Sequence, residues 1–279
     1  SEILIEHDGI VECSPLLPAL AALTSAKQRV LFVTPPYFPY SPALAAAGIY
    51  LSYVVHIDAS SAYTGTLVVD SMPVDVVALD LGAKLNINRL NELELQNFFS
   101  YLLRDFEKSI RLAQAIMDWR DADSLPRPSG GERDAYIKEE LLALPTNAPF
   151  RDIDELRNVI GMTPEIYAEA SPYLTTRGNG LVNLNVAPPP VLRALPGMTD
   201  ATLTRILQMR SAGQRITSVG QVMAGGGPLL GQLASRATTA TTFLELSITA
   251  KVGPQASPTR LIAVLQRGEG TVSVANVIW

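Results

Sequence analysis

The chain has 279 residues, and 47% of them are apolar, which is enough to build a large buried core. Only 18% of the residues are charged and the formal net charge is −5, so there is no electrostatic reason to expect a nucleic-acid partner. The single cysteine, Cys13, excludes an intrachain disulfide, and two histidines, His7 and His56, are too few for a His-rich zinc centre.

The first 88 residues mix helical and extended patterns. Residues 14–27 show the apolar spacing of a short helix, whereas residues 66–69 and 74–79 are rich in β-branched side chains, which favour strands. Prolines interrupt the longest uncharged stretch, residues 30–57, so we expect core rather than a membrane span there. We assign residues 1–88 to the N-terminal part of an α/β domain.

Residues 89–235 carry the spacing of amphipathic helices. The predicted helices are Leu93–Leu103, Ser109–Arg120, Glu132–Leu144, Asp152–Val159, Pro164–Ser171, Pro189–Leu195 and Ala201–Ser211. Two motifs occur twice, because residues 85–88 (LNIN) return as 182–185 (VNLN), and Gly-Met-Thr occurs at 161–163 and 197–199. The sequence therefore predicts an inserted all-α domain of two related, helix-hairpin-helix-like units.

The C-terminal residues 236–279 return to a β pattern. Residues 243–252, 260–266 and 271–279 alternate apolar and polar side chains, and turn signals at 253–254 and 268–270 join them. This pattern predicts three antiparallel strands that complete the sheet of the first part. The predicted fold class is therefore α+β, an α/β body with an antiparallel sheet that is interrupted by a large helical domain.

The segment between Asp118 and Asp134 concentrates carboxylates around a loop rich in glycine and proline. The five acids are Asp118, Asp121, Asp123, Glu132 and Asp134. Calcium takes roughly six to eight hard oxygen ligands, which such a loop can supply from carboxylates and backbone carbonyls. The spacing is not that of an EF-hand, so calcium is one interpretation among several.

Two other interpretations of these acids remain open. The acids could be solvated groups at helix ends that pair with Arg120, Arg127 or Arg133. Alternatively, Asp118 and Asp121 could form the catalytic carboxylate pair of a hydrolase. Because nothing in the sequence marks a raised pKa or a substrate cleft, we expect no enzymatic activity.

A second segment, residues 195–200, resembles the turn of a helix-hairpin-helix, whose amides hold a DNA phosphate in binding modules. The place of a second glycine is taken by Thr199, and the carboxylate of Asp200 would repel a phosphate. The alternative function, a nucleic-acid-binding protein of the competence type, is therefore opposed by this turn and by the acidic composition. We expect no nucleic acid among the partners.

A series of short motifs follows in order along the chain. They are ALDLGAKLNIN at 78–88, IMDWRDAD at 116–123, GERDAY at 131–136, PFRDIDEL at 149–156, YLT at 173–175, VNLN at 182–185 and LPG at 195–197. Together they resemble the K-type minor pseudopilins of type II secretion systems, over roughly residues 74–279. The resemblance implies a structural subunit at the tip of the pseudopilus that assembles with I-type and J-type minor pseudopilins, initiates the pseudopilus and supports protein export.

The resemblance carries three further expectations. It implies calcium as a bound ion at Asp118, Asp121, Asp123, Glu132 and Asp134. It implies a periplasmic domain of a protein anchored in the inner membrane, with the family's hydrophobic N-terminal helix absent from this sequence. It also implies contact with secreted protein cargo.

Overall fold

The computed structural model describes residues 17–26, 30–33, 41–50, 54–57, 63–69, 72–223, 228–250, 257–267 and 272–278. The chain divides into a sheet unit, drawn from residues 1–80 and 241–279, and a helical unit, residues 81–240. Cys13, His7 and the turns predicted at 253–254 and 268–270 lie outside the described residues. The predicted α+β fold class is confirmed.

The strands of the main sheet in the sheet unit are β3 (Tyr63–Val69), β4 (Met72–Asp80), β9 (Phe243–Ala250), β10 (Thr259–Arg267) and β11 (Val272–Ile278). They form a five-stranded antiparallel sheet in the order β11-β10-β9-β4-β3. Ala78 and Leu244 are buried on the sheet, where Leu246 and Leu265 pack against them. The predicted C-terminal meander is confirmed, and its first strand pairs with β4 of the N-terminal part.

The remaining described elements of the sheet unit are short. They are α1 (Leu17–Ser25), β1 (Val30–Val33), α2 (Ser41–Ala46) and β2 (Val54–Ile57). Strands β1 and β2 pair in parallel. The sequence favours a strand from Gly48 onward but also allows a helix over residues 43–55. In the structure the helix ends at Ala46 and the strand begins at Val54.

The helical unit follows the predicted order of helices. Its α-helices are α3 (Glu92–Leu103), α4 (Phe106–Arg120), α5 (Arg133–Lys138), α6 (Pro164–Ala170), α7 (Pro189–Ala194), α8 (Asp200–Ser211) and α9 (Pro228–Ala234). Thr163 before Pro164 and Thr199 before Asp200 predict N-caps, and both caps are present, since the two hydroxyls accept hydrogen bonds from the third residue of α6 and α8. Among the described helices, none has the length and apolarity to cross a membrane.

Two predicted helices differ in the structure. The helix expected at residues 132–144 ends at Lys138, because Glu140 adopts a left-handed conformation (φ 55°) and Leu141 N donates to Tyr136 O at 3.0 Å. This is the hydrogen-bond pattern that closes a helix C-terminus. The helix expected at 152–159 is a 3₁₀-helix, Ile153–Asn158, whose start is capped by Asp152.

Three aromatic side chains in the core of the helical unit pack together next to the acidic segment. Trp119 of α4 stacks on Phe150, with ring centroids 6.2 Å apart, and contacts Tyr136 of α5 at 5.8 Å. All three are almost completely buried. Burial of such rings contributes a large share of core stability, and here it fixes the end of α4 relative to α5.

The inserted domain is not all-α as predicted, because both copies of the repeated asparagine motif form strands. Strand β5 (Leu85–Asn86) pairs in parallel with β6 (Leu174–Thr175), and β7 (Val182–Asn183) pairs in parallel with β8 (Ala237–Thr238). The motifs are buried and extended, so their backbone N–H and C=O groups need hydrogen-bond partners. A neighbouring strand offers these partners, whereas the backbone groups of a helix are already paired within the helix.

The two repeats share a further contact. Arg120, at the end of α4, donates to Leu90 O, two residues after Asn88. Arg210, in the last turn of α8, donates to Ala187 O at 2.6 Å, two residues after Asn185. The prediction of two related units is therefore supported by hydrogen bonds as well as by sequence.

The boundaries of the inserted domain differ from the predicted ones. We predicted domain boundaries after residues 88 and 235, whereas the chain passes from one unit to the other after Asp80 and after Ala240. Leu85 and Ile87 belong to the core of the helical unit, and β8 pairs with β7 inside it. Both flanking segments belong to the helical unit because of strand pairing and burial. The sequence pattern does not reveal either of these.

Candidate metal centre

Asp118 lies on the buried side of α4 and is completely shielded from solvent. Its Oδ2 accepts hydrogen bonds from Arg127 N at 3.1 Å and Gly131 N at 2.8 Å, and its Oδ1 lies 2.5 Å from Arg127 Nη1. Both oxygens are thus occupied by the loop that follows α4. The carboxylate of Asp118 therefore anchors this loop from within.

Arg127 joins Asp118 to the next acid of the segment. Its Nη1 lies 2.5 Å from Asp121 Oδ2 as well, and its Nε lies 3.7 Å from Glu92. Partial burial disfavours the guanidinium charge, but the hydrogen bonds to Asp121 and Asp118 outweigh this effect and raise the pKa of Arg127. Of the arginine pairings that the sequence left open, the pairing of Arg127 with Asp118 and Asp121 is present.

Three acids converge at the two helix ends. Asp121 follows the last residue of α4, Asp123 begins the loop and Glu132 immediately precedes α5, and one oxygen of each lies within 4.8 Å of the others. The Asp123 carboxylate also accepts a hydrogen bond from Leu125 N at 2.8 Å, which turns the chain away from α4. The loop anchored on Asp118 thereby brings Glu132 back to the end of α4.

Two oxygens of this group, Asp121 Oδ1 and Glu132 Oε1, are buried and lack a hydrogen-bond partner among the described residues. Only 7% of Glu132 is exposed. Its burial, followed by the nearby charges of Asp118 and Asp121, raises the pKa of Glu132. Unpaired buried carboxylate oxygens are costly, and a hard divalent cation is one partner that can satisfy them. These residues therefore fit a calcium ion.

Of the five predicted ligands, the structure brings together Asp121, Asp123 and Glu132, whereas the other two are outside this group. Asp118 is occupied by Arg127 and backbone amides. Asp134 is exposed in the first turn of α5 and is outside the group. The pattern of acids alone could not separate the loop anchor from the three clustered acids, because that difference depends on which carboxylates the loop amides reach.

The fold also adds a residue that the sequence reading missed. Asn147, far along the chain, donates from Nδ2 to the carbonyl oxygen of Asp123, and its Nδ2 lies 3.4 Å from Ser124 Oγ. Its backbone is left-handed, with φ 47°. A lone asparagine in a loop carries no signal of this kind, since only the turn after Leu144 returns it to the acids.

The catalytic interpretation of Asp118 and Asp121 does not fit this arrangement. Both oxygens of Asp118 accept hydrogen bonds from the protein, and one guanidinium spans the two acids. A general acid or base needs an oxygen that can reach the substrate. Asp118 offers none.

The hairpin at residues 195–200 serves internal packing. Gly197 has a left-handed backbone (φ 75°), and a Cβ on it would lie 2.5 Å from Leu229 O of α9. Asp200 pairs with Arg193 of the preceding helix. The glycine thus allows α9 to approach the hairpin, and this contact disfavours the nucleic-acid alternative.

Comparison with known proteins identifies related chains. Residues 83–179, which include the acidic cluster, match the family model of type II secretion system (T2SS), protein K. The type II secretion system protein K of Klebsiella pneumoniae is 31% identical over 125 residues, which are 42% of this chain and 37% of that protein. The protein K of Dickeya chrysanthemi is 35% identical over 114 residues, 38% of this chain and 31% of its own length.

The chain thus spans about a third of the length of these relatives. Its fold is similar to one chain in the crystal structure of the GspK-GspI-GspJ complex from the type 2 secretion system of enterotoxigenic Escherichia coli. The TM-score is 0.59 at 19% identity, with 95% of this chain and 91% of that chain covered. The likeness in fold thus extends beyond the residues that the family model matches. Over residues 83–179, which hold the acidic cluster, the chain is thus similar to type II secretion system protein K.

Proposed function

We propose that this chain is a minor pseudopilin of the K type, a structural subunit at the tip of a type II secretion pseudopilus. The match of residues 83–179 to the protein K family carries the proposal. The similarity of nearly the whole chain to a chain of the GspK-GspI-GspJ complex supports it. In this role the chain assembles with I-type and J-type minor pseudopilins to initiate the pseudopilus, supports protein export and contacts secreted cargo.

The proposed role is one of binding rather than catalysis. A stable interface between two subunits buries on the order of 1,600 Å² of surface, and a tip subunit presents different surfaces to its neighbours. We place the chain in the periplasm as the domain of a protein anchored in the inner membrane.

Assembly is tested by co-expression with the periplasmic domains of the I-type and J-type minor pseudopilins from the same secretion system. We expect the three proteins to elute together from size-exclusion chromatography as one complex. Replacement of the I-type and J-type domains by the major pseudopilin is the control and should give no such complex. If the chain elutes alone in the presence of both minor pseudopilins at micromolar concentration, the proposed function is wrong.

The nucleic-acid alternative has its own test, a gel-shift with duplex DNA at low salt. Low ionic strength favours any binding to phosphates, so it gives the alternative its best chance. We expect no shift at micromolar protein. A clear shift would favour the competence-type function over assembly.

We further propose that Asp121, Asp123 and Glu132 bind calcium. The two buried, unpaired oxygens of Asp121 and Glu132 carry this proposal. When bound, the ion neutralises three crowded carboxylates and links the end of α4 to the start of α5. Its role is to brace the loop, and a ligand present at about 100 times its Kd stabilises the folded state by about 2.7 kcal/mol.

The calcium site is tested by thermal unfolding with millimolar calcium and with a chelator. We expect a rise in Tm with calcium that the chelator reverses and that magnesium does not reproduce. The double variant Asp121→Ala, Asp123→Ala should lose the rise, whereas Asp134→Ala, a nearby exposed acid outside the group, should keep it. An unchanged Tm and no calorimetric heat in the wild-type protein would remove the site.

A further inference from the structure

We infer that Asn147 is a further ligand of the calcium site, through its side-chain oxygen Oδ1. The inference rests on the proposed calcium binding at Asp121, Asp123 and Glu132. It depends on where the fold holds the Asn147 backbone, on what its amide group contacts, and on how many oxygens calcium requires.

The backbone of Asn147 is held against the end of α4. Asn147 N donates to Trp119 O at 3.0 Å, and the hydroxyl of Thr146 lies 3.4 Å from the same oxygen. Trp119 immediately follows the loop anchor Asp118 and is itself buried in the aromatic core. The left-handed backbone of Asn147, a conformation that asparagine tolerates better than most residues, is thus part of a fixed turn.

The amide group of Asn147 contacts the loop segment that carries Asp123. Its Nδ2 donates to Asp123 O and lies 3.4 Å from Ser124 Oγ. Asp123 supplies one of the three clustered carboxylates. The amide of Asn147 therefore lies against the loop segment that begins at the cluster.

The N–H hydrogens of an amide in this position carry the partial positive charge that carboxylates attract. A calcium ion drawn to the same oxygens would repel the N–H groups. Rotation about the Cβ–Cγ bond exchanges Nδ2 for Oδ1, and asparagine carbonyl oxygens are ordinary calcium ligands. Three carboxylates leave room in a shell of roughly six to eight oxygens, so a neutral amide oxygen completes the site without adding charge.

The alternative is that Asn147 only ties down the carbonyl of Asp123. A calcium ligand must supply an oxygen, whereas the contact with the Asp123 carbonyl requires a hydrogen-bond donor. An aspartate in place of Asn147 could coordinate calcium but could not donate this hydrogen bond. The variants Asn147→Gly and Asn147→Asp separate them. Glycine removes the amide while it keeps the left-handed backbone without strain.

The measurement is calorimetric titration of the full chain with calcium, together with Tm in chelator. We expect the calcium Kd to rise about tenfold or more in Asn147→Gly and to fall in Asn147→Asp, while the chelator Tm of Asn147→Asp decreases because a fourth acid joins the cluster. Asp134→Asn, which changes a nearby exposed charge, is the control and should alter the Kd less than about twofold.

The outcomes distinguish the proposed calcium site from the inferred role of Asn147. If the wild-type chain binds no calcium, the metal site itself is wrong. If the wild type binds calcium but Asn147→Gly has the same Kd, or Asn147→Asp binds more weakly than wild type, Asn147 is a structural residue and only this inference is overturned.

Discussion

The side chain of Asn88 holds the backbone of Phe150 through two hydrogen bonds. Its Nδ2 donates to Phe150 O and its Oδ1 accepts from Phe150 N, both at 2.8 Å. In the second repeat Asn185 makes the same pair of bonds with Ile216, both at 2.9 Å. Each asparagine thus satisfies one donor and one acceptor of a loop that returns to its strand.

We predict that Asn88→Ala and Asn185→Ala each lower the free energy of unfolding by roughly 2–3 kcal/mol, because each leaves at least two backbone groups without their partner. Asn185 also donates to Thr239 O, so its loss is the larger of the two. Urea unfolding measures this loss. Asn158→Ala, at an exposed position, is the matched control and should change stability by less than about 0.5 kcal/mol. Equal stability of all three variants would contradict the role of the asparagine pairs.

Gly130 lies against the anchor of the acidic loop. A Cβ at this position would lie 2.1 Å from Asp118 Oδ2 and 3.1 Å from Gln114 O. We predict that Gly130→Ala displaces the Asp118 carboxylate, costs roughly 1–3 kcal/mol in urea unfolding and reduces the calcium-dependent rise in Tm. Gly231→Ala is the control, since a Cβ there meets nothing within 4 Å and alanine favours the helix by up to about 1 kcal/mol. Equal effects of the two substitutions would contradict the prediction.

Glu94 and Arg236 form a buried ion pair between the start of α3 and the segment before β8. Glu94 is 1% exposed, and its Oε1 lies 2.5 Å from Arg236 Nε. Its Oε2 also accepts from Asn91 N, which completes a capping box on α3. We predict that Arg236→Met costs roughly 3–5 kcal/mol, because it leaves a buried carboxylate without its counter-ion.

The double variant Glu94→Gln, Arg236→Met tests whether this cost comes from the pair. Removal of both charges should cost less than the sum of the two single substitutions, as measured by a double-mutant cycle in urea. Strictly additive effects would mean that the two residues stabilise the helical unit independently of one another.

Tyr136 makes the helical unit sensitive to high pH. Burial raises its pKa to about 12, although the Ile160 N–H donates to its hydroxyl oxygen at 2.9 Å. In the unfolded chain the phenol ionises near pH 10, so the folded state keeps its full stability below pH 10 and loses it as the pH rises towards 12. The loss amounts to about 2–3 kcal/mol.

The measurement is urea unfolding between pH 9 and pH 12. Tyr136→Phe should flatten the decrease in stability relative to wild type, whereas Tyr101→Phe, at an exposed position, should leave it unchanged. If the three proteins lose stability in parallel, ionisation of Tyr136 is not the cause.

Much of the fold could be predicted because its signals are local. The periodicity of α3 and α4, the threonine caps of α6 and α8 and the alternation of β9 each depend on residues within one element. The early end of α5 could not be predicted, since a non-glycine residue, Glu140, adopts the left-handed conformation there. The pairing of β5 with β6 and of β7 with β8 could not be predicted either, because the paired strands are far apart in the sequence.

The sequence by itself determined the order of the elements and the presence of a helical insertion, and it singled out the acidic segment as the candidate site, because composition and spacing encode these features directly. Only the tertiary structure decided what each acid does. It directs Asp118 inward to Arg127 and the loop amides, leaves Asp134 in solvent and returns Asn147 to the cluster. The physical reason is that a carboxylate becomes an anchor or a ligand according to which donors the folded backbone brings to it, and those donors are distant in sequence.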